Sequence, residues 1–134
     1  MKLSTRVFFE AAHRLSDYEG KCKRLHGHNW IVDVDIDTDR KLDKTGFIVD
    51  FGIIKDIAKK FDHIIVMKDT DENRKYLESV PEDWVLWVSF NPTCEHFAEY
   101  FRNEISKQCK LQRGDVSIKV YENYKPERKS YAEI

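Results

Sequence analysis

His26-Gly27-His28 sets two imidazoles two positions apart. On an extended strand that spacing turns both rings to the same side. His13 ends an earlier alternating segment, on its apolar face. If the two segments form an antiparallel hairpin, His13 lies opposite the start of the second, and three imidazoles converge. Three nitrogen donors with a fourth position left to water or substrate make a catalytic zinc site, whereas a structural site is closed. Gly27, lacking a side chain, leaves the other side of the strand open at this point. Each part has a plainer reading: a lone His-Gly-His pair is weak evidence for a metal, and a lone strand-end histidine is commonly satisfied by a backbone carbonyl.

Cys22 stands four positions before His26, flanked by Lys21, Lys23 and Arg24. Neighbouring cations and a metal both favour the thiolate, the reactive form. The residue could equally close the metal site as a fourth ligand, or be an unremarkable loop thiol. Asp62-His63 pairs a carboxylate with an imidazole, which suits an acid/base relay; a histidine answering the dipole of a preceding helix fits as well. Glu122 terminates the apolar face of the last long strand, where a carboxylate is costly without a partner. It either reaches solvent or forms a pocket floor that accepts hydrogen bonds from a guanidine-like ligand edge. Cys94 and Cys109 read as helix packing residues. His96 reads as a solvated helix-start residue.

The elements that must position these groups follow from periodicity. Thr5 to His13 alternates, with Val7, Phe9, Ala11 and His13 on one face and Phe8 and Glu10 on the other. A second strand runs from Leu25 or His26 to about Asp37, with His28, Trp30, Val32, Val34 and Ile36 sharing a face. Asp50 caps a helix bearing Phe51, Ile54, Ile57, Ala58 and Phe61, expected to end near Asp62-His63. The polar stretch from Lys68 to Asp83 holds a helical turn around Asn73 to Glu78. Trp84 to Phe90 is a short strand. Thr93 caps a second long helix carrying Phe97, Tyr100, Phe101 and Ile105. Asp115 to about Tyr124 is the last long strand, with Val116, Ile118, Val120 and Glu122 on one face, and Ser130 to Ile134 forms a final short one. The expected architecture is α+β: one domain over residues 1–134, a four-stranded, mainly antiparallel sheet with two helices on one face.

A chain of 134 residues can bury a core without staples. With 41% hydrophobic and 35% charged residues it belongs to the globular class rather than the disordered one. A net charge of -1 provides no global field for nucleic acid. The apolar runs are too short to span a bilayer, and Met1 to Arg6 has no signal-peptide character. Three cysteines, an odd and sparse count, argue against a disulfide framework. A cytoplasmic location, without membrane or nucleic-acid partners, is the expectation.

Phe8-Phe9-Glu10-Ala11-Ala12-His13 and Cys22-Lys23-Arg24-Leu25-His26-Gly27-His28-Asn29-Trp30 resemble the paired motifs of the pterin synthase family with the tunnelling fold. The Cys-x-x-x-His-Gly-His spacing is closest to the family's 6-carboxy-5,6,7,8-tetrahydropterin synthase branch, of the queuosine pathway. Val49-Asp50-Phe51-Gly52, Phe61-Asp62-His63, Asn91-Pro92-Thr93-Cys94-Glu95 and Tyr121-Glu122 match further, in the family's order and over nearly the whole chain. The resemblance implies Zn2+ held by His13, His26 and His28. It implies proton transfer by Cys22, a relay through His63 oriented by Asp62, and a pterin anchored by Glu122, with Thr93 and Glu95 at the helix-start contacts. The implied substrate is 7,8-dihydroneopterin triphosphate, converted to 6-carboxy-5,6,7,8-tetrahydropterin with release of acetaldehyde and triphosphate. Lys21, Lys23 and Arg24 are candidate triphosphate contacts. A 6-pyruvoyl product is the alternative within the family; a non-catalytic, zinc-stabilised pterin-binding oligomer is the alternative outside it. His96 departs from the pattern, which often has Asn there, and Lys68 to Trp87 is longer than in the shortest members.

The resemblance also implies a homo-hexamer of two stacked trimers, each trimer closing its sheets into a barrel. Closure removes exposed strand edges and would leave Asp33, Asp35 and Asp37 lining a wet tunnel. Which subunit's site Glu122 serves is left open by the sequence.

Overall fold

The computed structural model describes residues 1–125 and 128–134. Strands β1 (Lys2–His13) and β2 (His26–Asp37) form a long antiparallel hairpin, in register from Lys2 opposite Asp37 to His13 opposite His26. The alternation dictates its faces: Val7, Phe9, Ala11 and His13 are buried, while Phe8 between them is exposed.

The polar stretch after β2 leads to α1 (Phe51–Lys59), capped by the Asp50 side chain, which accepts from the Gly52 N–H at 2.7 Å. Ile54, Ile57 and Ala58 bury its inner stripe. The chain then enters β3 (Ile64–Lys68), α2 (Asp71–Tyr76), β4 (Val85–Val88), α3 (Cys94–Gln108), β5 (Val116–Lys125) and β6 (Arg128–Glu133). Thr93 caps α3, and Phe97, Ala98, Phe101 and Ile105 face the sheet.

The sheet departs from the four-stranded antiparallel expectation. Among the described residues it has six strands in the order β4-β3-β1-β2-β5-β6 and is mixed: β3 runs parallel to β1, and β4 parallel to β3. The unforeseen strand is Ile64-Ile65-Val66-Met67-Lys68, an apolar run too short to show a period. It becomes a strand because α1 carries the chain back to β1, where Ala11 and Ala12 pair with Ile64 and Ile65. Among the described residues there are three α-helices rather than two, since the turn expected around Asn73 forms α2 from a Thr70 cap. The first helix ends at Lys59, short of Asp62-His63.

Both long helices contribute to one core with a single face of the sheet, as expected. That core joins Val7, Phe9, Trp30, Val32, Val34, Ile118 and Val120 to Ile54, Ile57, Phe97, Phe101 and Ile105. At the histidine end it is aromatic: Phe9 stacks on Trp30 with centroids 5.9 Å apart, and Phe61 and Phe97 close around Phe9. Among the described residues no helix is long and apolar enough to cross a membrane.

Candidate active site

The hairpin register brings the three imidazoles together. His13 and His26 are directly opposed, and His28 sits one pleat further along the same face, opposite Ala11. Strand β5 adds a fourth group, because Glu122 pairs with Trp30 on the next strand. One ligand atom from each of His13, His26, His28 and Glu122 lies within 4.8 Å of all the others, so the group could hold a metal ion. Glu122 reaches the histidines of its own chain: its Oε1 is 3.2 Å from His13 Nε2 and 3.0 Å from His28 Nε2.

Backbone carbonyls set the tautomers. His13 Nδ1 lies 2.7 Å from the Pro92 carbonyl oxygen, and His26 Nδ1 lies 2.6 Å from that of Arg24. A carbonyl only accepts, so each Nδ1 carries the proton and each neutral ring turns a lone pair on Nε2 into the cluster. Those two Nε2 atoms face one another at 3.1 Å. Two lone pairs at that distance repel, and a cation between them removes the repulsion. His28 is 11% exposed, but both its ring nitrogens are buried and lack a well-directed hydrogen bond despite the Glu122 oxygen nearby. Orphaned, inward-facing imidazole nitrogens beside a carboxylate are the donor chemistry of a borderline cation such as Zn2+. The indole of Trp30, fully buried, stands edge-on to His13 and His28 and forms a dry floor.

The charges respond to this crowding. The imidazole edges of His13, then of His28, 3.2 and 3.0 Å from its Oε1, hold the Glu122 carboxyl well below the usual range against the opposing pull of burial. Burial acts to depress the His28 imidazole, and the nearby Glu122 carboxylate outweighs it, leaving its pKa above the ordinary value.

Two cavities flank the cluster. One, of about 290 Å³, is lined by His13, Tyr18, Cys22, Thr93, Glu95 and Glu122, together with Cys94 and Tyr131. Five candidates from distant parts of the sequence, His13, Cys22, Thr93, Glu95 and Glu122, therefore line one cavity. Cys22 rides on a single 3-10 turn, Lys21–Lys23, and does not join the metal-binding group. Cys94, at the start of α3, is a different thiol: burial, reinforced by Glu122 and Glu95, pushes it up to about 12, which suits a packing residue.

The other cavity, of about 490 Å³, is lined by Glu10, Gly27, His28, Asn29, His63 and Trp84 among others. His63 is thus placed on a different cavity from Cys22. Its residue adopts φ 58°, the left-handed region. The His63 N–H donates to the Glu10 carbonyl at 2.7 Å, and Asp62 Oδ1 accepts from the Glu10 N–H at 2.9 Å. The imidazole meets Asp62 Oδ2 at 3.0 Å through Nδ1 and Glu10 Oε2 at 3.8 Å through Nε2. Its partners are therefore carboxylates rather than the end of α1. The Glu10 N–H holds the Asp62 carboxyl below its ordinary range, with help from His63. Glu10 and the Pro92 and Arg24 carbonyls escaped the sequence reading. Glu10 lies on the polar face of β1 with no motif of its own, and a carbonyl contact has no residue signature. Lys23 contacts Glu19 at 3.6 Å on the surface.

A family model described as 6-pyruvoyl tetrahydropterin synthase matches residues 2–133. The chain belongs to that family. Relatives named 6-carboxy-5,6,7,8-tetrahydropterin synthase include one from Rickettsia conorii, 34% identical over 91% of this chain and 94% of its own. Another, from Rickettsia typhi, is 35% identical over the same shares. A solved 6-pyruvoyl tetrahydropterin synthase from Plasmodium falciparum superposes with a TM-score of 0.66 at 20% identity, covering 100% of this chain and 97% of that one. At that identity the likeness concerns the fold. Membership in that family supports an enzyme of the tetrahydropterin synthase kind.

Proposed function

We propose that this chain is a zinc-dependent 6-carboxy-5,6,7,8-tetrahydropterin synthase that acts on 7,8-dihydroneopterin triphosphate and releases acetaldehyde and triphosphate. Its pathway would be queuosine biosynthesis, in the cytoplasm. The observation that carries the reading is the pair of Nε2 atoms from His13 and His26, locked by their carbonyl bonds to face one another, with His28 unsatisfied beside them. The names of the Rickettsia relatives favour the carboxy product over the pyruvoyl one.

His13, His26 and His28 would hold Zn2+. Bound there, the ion supplies Lewis acidity toward the hydroxyls of the substrate side chain. Cys22 faces the same cavity and shuttles the proton of the side-chain carbon. Glu122, ionised and already an acceptor, takes the donor edge of the pterin or closes the metal site, and Thr93 and Glu95 border the same space. His63, with Asp62 on Nδ1, relays protons. Because Cys22 and His63 line separate cavities of one chain, the relay is assigned to a site shared between copies. A homo-hexamer of two trimers, with the sheets of each trimer closed into a barrel, supplies that sharing.

The test is incubation of the zinc-loaded protein with 7,8-dihydroneopterin triphosphate, followed by product mass and acetaldehyde assay. A 6-carboxy product with acetaldehyde is expected; a 6-pyruvoyl mass moves the assignment within the family, and no turnover ends it. Cys22→Ala is expected to keep its zinc and lose turnover. Light scattering checks the hexamer.

A further inference from the structure

Arg14 follows the metal-site candidate His13 and is 4% exposed, almost as buried as the aromatic core. Its guanidinium is used on every side. Nε donates to the Lys23 carbonyl at 3.0 Å, and one terminal nitrogen donates to Asn73 Oδ1 at 3.0 Å. The other reaches Glu72 Oε1, also at 3.0 Å, and the Tyr76 ring covers the flat face with its centroid 4.2 Å away. Asn73, Glu72 and Tyr76 all lie on α2, and Asn73 is itself tied to the Lys68 carbonyl at 2.8 Å. The bond to Lys23 leads instead to the turn that carries Cys22.

That turn has little else to hold it. It buries no residue and has no capping side chain. Its other bonds are the short-range ones from Lys23 N–H to Gly20 and from Arg24 N–H to Lys21, the exposed Lys23–Glu19 pair, the His26 Nδ1 bond to the Arg24 carbonyl at its end, and the Leu15 N–H donating to the Cys22 carbonyl at 2.9 Å. A buried cation whose carboxylate partner is more than half exposed is a poor stabiliser compared with a packed apolar side chain. The guanidinium fork, by contrast, can fix three acceptors in one plane at once.

We propose that Arg14 is a positioning residue, fastening the Lys21–Lys23 turn to α2 so that Cys22 is held against the cavity it shares with His13 and Glu122. The assignment rests on Cys22 as the proton shuttle. Lysine at this position keeps the charge but cannot span the three acceptors.

In zinc-loaded protein, Arg14→Lys should therefore raise the rate of Cys22 alkylation by iodoacetamide at least about fivefold. It should lower kcat about ten- to a hundredfold with KM within about twofold, since displacement of a reacting group by about 1 Å has that effect. Zinc content should stay unchanged. Tyr76→Leu, which removes the ring over the guanidinium but keeps its three hydrogen bonds, should lower Tm yet leave Cys22 alkylation and kcat near wild type. Equal effects of the two variants on alkylation, or none from Arg14→Lys, overturn the proposal. In the unmutated protein the Lys23 and Arg24 amides should exchange slowly with solvent; exchange at the rate of unstructured peptide also overturns it. If wild-type protein does not turn over, the catalytic reading fails, while alkylation and exchange still decide whether Arg14 holds the turn.

Discussion

The two ends of the chemistry are built in opposite ways. The imidazole cluster stands on three adjacent strands, over a fully buried indole, with its tautomers locked by carbonyls of two different loops. The His63 corner lies at the entry to a short strand that pairs with β1 at only Ala11 and Ala12, and its imidazole is 75% exposed. The first is complete within one chain. The second presents an oriented imidazole outward, with Asp62 behind it and a cavity in front. A metal site needs several ligands fixed together, which a strand register supplies; a proton relay needs reach more than rigidity.

The sharpest break in that comparison is His26→Ala. Loss of a ligand should exceed the roughly 10- to 100-fold weakening seen for outer partners of a metal. Zinc measured by elemental analysis after dialysis should fall toward zero, and turnover with it. His63→Ala should do the reverse: zinc and fold stay, while kcat falls about 10²–10⁴-fold, the range for losing an acid/base group. If His63→Ala loses its metal, the two regions are not independent.

Acid should separate them next. The Glu122 carboxyl is lowered from an ordinary value of 4.5, so its stabilisation of the metal-free protein is present above that pH and lost as pH falls through the folded-state value. His28 is raised from 6.5, so its contribution is present below 6.5 and lost as pH rises through its folded value. The pair therefore stabilises the metal-free chain most between those two values. Glu122→Gln should flatten both limbs of a denaturation-against-pH curve, and an unchanged curve would mean the pair contributes nothing. Zinc binding runs the other way, strengthening as His28 deprotonates.

The smallest effect concerns the backbone. With His63 at φ 58°, His63→Gly should be more stable than His63→Ala by about 1 kcal/mol, because only glycine enters the left-handed region without steric cost. Urea denaturation of the two inactive variants checks it.

Much of the cluster could be read from residue order alone. The alternation in Thr5–His13 and His26–Asp37 dictates which side each histidine takes, and a hairpin has few ways to bring His13 beside His26. The Asp50 and Thr93 caps were legible for the same reason, since a cap acts within three residues of itself. Strand β3 was not, because parallel pairing with β1 depends on where α1 returns the chain, and Ile64–Lys68 shows no period of its own. Glu122 stood out as a carboxylate on an apolar face. That its partners are His13 and His28 of the same chain follows only from the β2–β5 register.

Local chemistry, then, was determined by the sequence: which residues can ligate, cap, alternate or ionise acts over a few positions and needs no fold. Tertiary structure alone decided that β5 brings a carboxylate to the imidazoles, that Cys22 and His63 line different cavities, and that Arg14 ties α2 to the Cys22 turn. Each of those concerns groups tens of positions apart, and their placement is set by the packing of the whole core, which no local pattern of residues specifies.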